Sequence, residues 1–124
     1  MQKFILLSGA VLGTLSVMIG AFGAHALKSS LVASGRLDVF ETAVKYQFYH
    51  TLALMLIGIL LFKINSSLIA YAGLAMLAGI FIFSGSLYIL SITNVGKWGA
   101  VTPFGGLFMI VGWVLLFIGL YKNL

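Results

Sequence analysis

The sequence contains no cysteine, one proline and only two acidic residues, Asp38 and Glu41, in a chain of 124 residues. The absence of cysteine excludes a disulfide framework, a thiolate metal site and a cysteine nucleophile. A single proline excludes a proline-rich linker. Two histidines, His25 and His50, complete the stock of side chains that could carry acid–base or metal chemistry.

Charge is scarce and hydrophobicity is high. The chain is 62% hydrophobic and 7% charged, whereas a soluble domain is usually about 45–50% apolar and about 25% charged. This composition leaves too little polar surface to cover a soluble globule, and it is the opposite of a disordered chain. The sequence therefore predicts an integral membrane protein.

Four apolar runs are long enough to cross a bilayer, whose hydrocarbon core of about 30 Å needs about 20 helical residues. The predicted spans cover about 4–24, 39–62, 68–90 and 104–121. Because backbone polar groups in hydrocarbon must be satisfied within the chain, these spans are expected to be helices. We predict an all-α fold: one transmembrane domain, 1–124, forming a four-helix bundle. Residues 28–37 are expected to form a loop or short interfacial helix, with a turn at Ser34-Gly35.

The amino-terminal run has an alternative interpretation. Lys3, an apolar stretch and Ala24-His25-Ala26 imitate a signal peptide with its cleavage site. The stretch of about 20 residues is longer than a usual signal-peptide core, so we expect it to remain as the first span.

The second span is expected to begin upstream of its apolar run, near Val39. Asp38 and Glu41 have the spacing of a helix N-cap and its capping partner. Glu41 and Lys45 are four residues apart, in the favourable order for an ion pair. Helix two should therefore enter the membrane without a break.

Small residues recur on single faces of the first and last spans. Close backbone approach drives helix association in lipid, so these faces predict packing seams. The seams would either close the bundle or join two copies into a homo-oligomer. Their glycines are Gly9, Gly13, Gly20 and Gly23 in the first span and Gly105, Gly112 and Gly119 in the last.

Polar side chains gather at one side of the membrane, because the first and third connections of a four-span chain lie on the same side. We expect a pocket there for a small polar ligand or a lipid headgroup, with His25 and His50 close together and pointing into the bundle. In the alternative interpretation the histidines bond singly to carbonyls, and the protein is a structural or partner-binding subunit acting through its glycine seams. The predicted pocket residues are His25, Glu41, Tyr46, Gln47, His50, Ser84, Tyr88 and Thr102.

Other functions lack their signatures. The sequence has no Walker loop, Rossmann glycine pattern or nucleophile elbow, and its histidines lack metal-helix spacing. We therefore expect no enzyme activity, catalytic residue, metal or cofactor. The basic residues are dispersed at helix ends, which favours contacts with the lipid bilayer over nucleic acid. Three basic residues on one side and four on the other leave the orientation open.

Four motifs resemble those of the YgdD/YwdK-like family of small bacterial membrane proteins, a domain of unknown function. They are GAFGAHAL at 20–27, YQFYH at 46–50, FSGSLY at 83–88, and TPFGG at 102–106 with Gly112-Trp113. The resemblance covers almost the whole chain. It implies a four-span protein of the bacterial cytoplasmic membrane and supplies no substrate or catalytic residues.

Overall fold

The computed structural model describes all 124 residues, Met1 to Leu124, and its regular structure is entirely helical. A short 3-10 helix, Gly96–Ala100, precedes the last α-helix. Four segments are long and apolar enough to cross a membrane, which confirms the predicted all-α, four-span fold. The α-helices are α1 (Gln2–Ala24), α2 (Lys28–Ser34), α3 (Leu37–Leu60), α4 (Ser67–Thr93) and α5 (Thr102–Asn123).

The helix ends lie close to the predicted limits of the spans. The ranges 4–24, 68–90 and 104–121 fall inside α1, α4 and α5, while 39–62 runs into the turn that follows α3. The segment between the first two spans contains the short helix α2. Gly35 ends α2 with a φ of 71°, a left-handed conformation that glycine adopts without a steric penalty.

The start of α3 differs from the prediction. Arg36, not Asp38, is the N-cap, and no side chain caps the first turn. The helix begins earlier because the Arg36 carbonyl already accepts a hydrogen bond from the N–H of Phe40, at 3.0 Å. Asp38 lies in the first turn instead, where its negative charge interacts favourably with the helix dipole.

Membrane spans that are consecutive in the sequence pack against each other. The main contacts are those of α1 with α3, α3 with α4, and α4 with α5, whereas α1 touches α4 only slightly. The two central helices therefore carry most of the buried surface, and α1 and α5 flank them. The innermost large side chains are Ile5, Leu54, Ile57, Ile69 and Met76.

Both glycine seams pack against helices of the same chain. The four glycines of α1 lie against Met55, Thr51, Val44 and Phe40 of α3, in that order. Those of α5 lie against Phe83, Met76 and Ile69 of α4. Helices of the same chain occupy these faces, so contacts within one bundle account for the glycine spacing.

Candidate functional site

Gln47 joins three helices. Its side chain is 3% exposed, and its Nε2 donates to the Leu12 carbonyl of α1 at 2.9 Å. Its Oε1 accepts a hydrogen bond from the Tyr88 hydroxyl of α4 at 2.6 Å. An unpaired amide in hydrocarbon is costly, so these two hydrogen bonds explain how α3 can carry a glutamine inside the bundle.

Two serines of α4 make further bonds between helices. The Ser84 hydroxyl donates to the Ala43 carbonyl of α3 at 2.7 Å. The hydroxyls of Ser86 and Thr102 are 2.6 Å apart and link α4 to the start of α5. The polar atoms of Ser84 and Thr102 therefore hold the helices together and are not free to face a ligand.

His50 links α3 to α5 near the midpoints of both helices. Its Nδ1 lies 2.8 Å from the Tyr46 carbonyl, and its Nε2 accepts the indole N–H of Trp113 at 3.0 Å. A carbonyl can only accept, so Nδ1 carries the proton and the ring is the neutral Nδ1–H tautomer. We call this arrangement of Tyr46, His50 and Trp113 the histidine clasp; both ring nitrogens are occupied within the protein.

Replacing Trp113 by phenylalanine should remove the clasp while keeping an aromatic ring. We expect the free energy of unfolding to fall by about 0.6–1.5 kcal/mol, the range for one hydrogen bond between membrane helices. Denaturation of the purified protein in detergent measures the change. Trp98→Phe, in the 3-10 helix outside the clasp, is the control. Equal stability of the two variants would contradict a stabilising bond to His50.

The predicted pairing of His25 with His50 is wrong. His25 is exposed at the C-terminal end of α1, whereas the His50 side chain is 5% exposed. Gly23, two residues before His25, lies against Phe40 of α3. His50 is ten residues after Phe40 in α3, which corresponds to about 15 Å of helical rise. The two histidines share a side of the bundle but differ in depth.

A groove runs along the lipid-facing side of the contact between α1 and α3. Its polar end has a volume of about 370 Å³ and is lined by Gly20, Gly23, Ala24, Phe40, Glu41, Val44 and Lys45. Its deeper part, about 300 Å³, is lined by Ser16, Val17, Val44, Lys45, Phe48 and Tyr49. Val44 and Lys45 belong to both parts, so we treat them as one feature, the α1–α3 groove.

Glu41 and Lys45 do not form the predicted ion pair, since no nitrogen–oxygen distance between them is within 4.0 Å. Both side chains are exposed, and an exposed pair of this spacing gains only about 0.3–0.5 kcal/mol. That gain is too small to hold two flexible side chains together. The groove therefore presents one free carboxylate and one free ammonium group.

The groove has a polar end and an apolar end because of the direction of α3. Side chains on a helix tilt towards its N-terminus, so Glu41 and Lys45 extend towards the N-terminal end of α3. Phe48 and Tyr49 lie deeper in the membrane-spanning part of α3. The order from the surface inwards is carboxylate, ammonium, apolar side chains.

Sequence reasoning missed two residues of these sites. Trp113 falls in the middle of a span, whereas tryptophan usually lies at the membrane interface. This position indicated that its indole N–H has a hydrogen-bond partner inside the bundle, which is His50. Lys45 was assigned to an ion pair, and nothing in its spacing from Glu41 indicated that both would be free. Glu41 is the predicted pocket residue that lines the α1–α3 groove.

The fold and the polar contacts between helices define a small, four-span integral membrane protein. Residues 19–106 match the family described as Protein of unknown function (DUF423). The chain is 42% identical to the UPF0382 membrane protein YwdK of Bacillus subtilis, with all of both chains covered. A UPF0382 membrane protein of Staphylococcus saprophyticus is 46% identical, covering 98% of this chain and 99% of the relative. The UPF0382 inner membrane protein YgdD of Escherichia coli is 33% identical, covering 95% and 89%.

The chain therefore belongs to this family of uncharacterised membrane proteins, as its motifs indicated. It is a multi-pass protein of the bacterial cytoplasmic membrane. The names of these relatives state no enzymatic activity. No solved structure matches the chain.

Proposed function

We propose that the protein binds the polar headgroup of a membrane lipid in the α1–α3 groove. The observation that carries this proposal is that Glu41 and Lys45 line one recess without pairing with each other. Both belong to a membrane-spanning helix and face outwards. Exposed charges near the end of a membrane-spanning helix lie within reach of lipid headgroups, with which they can pair. A lipid headgroup supplies opposite charges from the surrounding bilayer.

The shape of the groove favours a lipid over a small soluble ligand. Below Lys45 the groove continues between Val17, Phe48 and Tyr49, which offer apolar surface to an acyl chain. A soluble polar ligand would gain nothing from this lower part, whereas a lipid fills both parts at once.

The interior of the bundle supports the same choice of site. The amide of Gln47 and both ring nitrogens of His50 are already bonded within the chain. A ligand entering there would have to replace those bonds without water to compensate for them. The charged groups of the groove can bind without breaking any bond between helices.

The same internal bonds favour a second candidate function, a structural membrane subunit. Gln47, Ser84 and His50 bond α3 to all three other spans, so the polar side chains contribute to the cohesion of the bundle. This candidate requires no ligand in the groove, and the experiment below separates the two functions.

The test compares Lys45→Gln with Lys97→Gln, an exposed lysine in the 3-10 helix on the same side of the bundle. Native mass spectrometry of detergent-purified protein measures retained phospholipid. We expect Lys45→Gln to lose most of it and Lys97→Gln to keep the wild-type amount, because both variants lose one positive charge but only Lys45 lines the groove. Equal retention by both variants would refute binding in the groove and leave the structural function. Helix content by circular dichroism checks that each variant is folded.

A further inference from the structure

We infer that the lipid bound in the α1–α3 groove is a zwitterionic phospholipid with a primary ammonium headgroup, such as phosphatidylethanolamine. This inference rests on the proposed function and adds the identity of the headgroup. In this arrangement Glu41 accepts hydrogen bonds from the ammonium group, and Lys45 donates to the phosphate.

The order of groups in the groove matches the order of groups in such a lipid. From the membrane surface inwards the lipid presents an ammonium group, a phosphate and acyl chains. The groove presents Glu41, then Lys45 one helical turn deeper, then Phe48 and Val17. Residues four apart on a helix have Cβ atoms about 5–6 Å apart, a spacing that suits two charges joined by the two-carbon ethanolamine bridge. Each charged group of the lipid therefore meets an opposite charge.

The net charge of the groove selects against anionic lipids. Glu41 and Lys45 together carry no net charge, and no other charged side chain lines either part of the groove. A glycerol headgroup would bring its phosphate to Lys45 but no cation to Glu41. A serine headgroup would bring a second carboxylate towards Glu41, and like charges repel.

Hydrogen bonding selects against choline. A quaternary ammonium has no N–H to donate, and proteins recognise it with cages of aromatic rings. Phe40 is the only aromatic ring in the polar part of the groove, and it is 2% exposed. The carboxylate of Glu41 instead suits a donor with several N–H groups, since charge-assisted hydrogen bonds are the strong ones.

The experiment measures binding of defined lipids to delipidated protein in detergent by native mass spectrometry. The lipids carry identical acyl chains and ethanolamine, choline, glycerol or serine headgroups. We expect the wild-type protein to bind the ethanolamine lipid about tenfold more tightly than the choline lipid, the value of one charge-assisted hydrogen bond. Glu41→Gln should abolish this preference and leave choline-lipid binding unchanged. Asp38→Asn, an exposed acid outside the groove, should keep the preference.

The outcomes separate this inference from the proposed function. Loss of all lipid binding in Lys45→Gln with an unchanged headgroup preference in Glu41→Gln would overturn the ethanolamine assignment but support headgroup binding. Retained binding in Lys45→Gln would overturn both. The last arm adds soluble phosphoethanolamine to the protein with its bound lipid. Failure to displace the lipid supports a lipid as the ligand, whereas displacement at equal concentration would overturn the assignment to a lipid.

Discussion

Alanine at position 105 is expected to lower the free energy of unfolding by about 3 kcal/mol, the upper part of the overpacking range. A Cβ added to Gly105 would overlap the backbone nitrogen and Cα of Phe83 in α4. Backbone atoms cannot move aside by changing rotamer, so α4 and α5 would have to separate. The separation would also loosen the contact of Gly79 with the Gly105 carbonyl, where an added Cβ would lie 3.0 Å from the oxygen.

Gly106→Ala provides a matched control for this prediction. Its added Cβ would lie 3.7 Å from the Phe83 ring, an ordinary contact. Both variants gain about the same 0.5–1 kcal/mol from replacing glycine by alanine inside a helix. Reversible denaturation in detergent, followed by circular dichroism, gives the two free energies of unfolding. Similar stabilities for the two variants would show that α4 and α5 do not approach as closely as Gly105 implies.

The glycine spacing predicted the packing faces but not their partners. Steps of three and four residues place Gly9, Gly13, Gly20 and Gly23 on one face whatever the helix touches. The choice between α3 and a second copy depends on the arrangement of all four spans, which no periodicity contains. The same limit applies to Gly105, whose contact with Phe83 is the tightest of the α5 seam.

Connectivity indicates which polar residues start from the same end of the bundle, but not how deep each one lies. Gln47 and Tyr88 come from different spans and meet in a hydrogen bond. His25 and His50 also start from the same side, yet Phe40, which lies against Gly23 near His25, is about 15 Å of helical rise from His50 along α3. Depth depends on how far each helix has entered the membrane at a given residue, and this requires the register between helices.

The groove could not be predicted from the sequence, for a related reason. Gly20 and Gly23 were assigned to a packing seam, and they do lie against Val44 and Phe40. Without side chains they also leave space beside the seam, and that space becomes the polar end of the groove. A glycine pattern on one helix cannot distinguish a filled face from one that is partly open.

Replacing Gln47 by methionine is expected to lower the free energy of unfolding by about 1–3 kcal/mol, the cost of stranding a buried polar group. Methionine matches the length of glutamine but leaves the Tyr88 hydroxyl without its acceptor. The Leu12 carbonyl suffers less, because the Ser16 hydroxyl also donates to it, at 2.8 Å. Thr14→Val is the control, since the Thr14 hydroxyl is exposed and bonds within its own helix.

Adding Tyr88→Phe to Gln47→Met should restore part of the lost stability, although it removes one more polar group. The reason is that replacing both partners of a buried hydrogen bond by apolar groups is nearly neutral, whereas removing one strands the other. Tyr88→Phe alone should be destabilising, because it leaves the Gln47 Oε1 unpaired in the bundle. A double-mutant cycle on the four proteins measures the coupling directly. Additive losses in the double variant would mean that Gln47 and Tyr88 do not bond in the membrane, and the polar link from α3 to α4 would then rest on Ser84 and Ala43 alone.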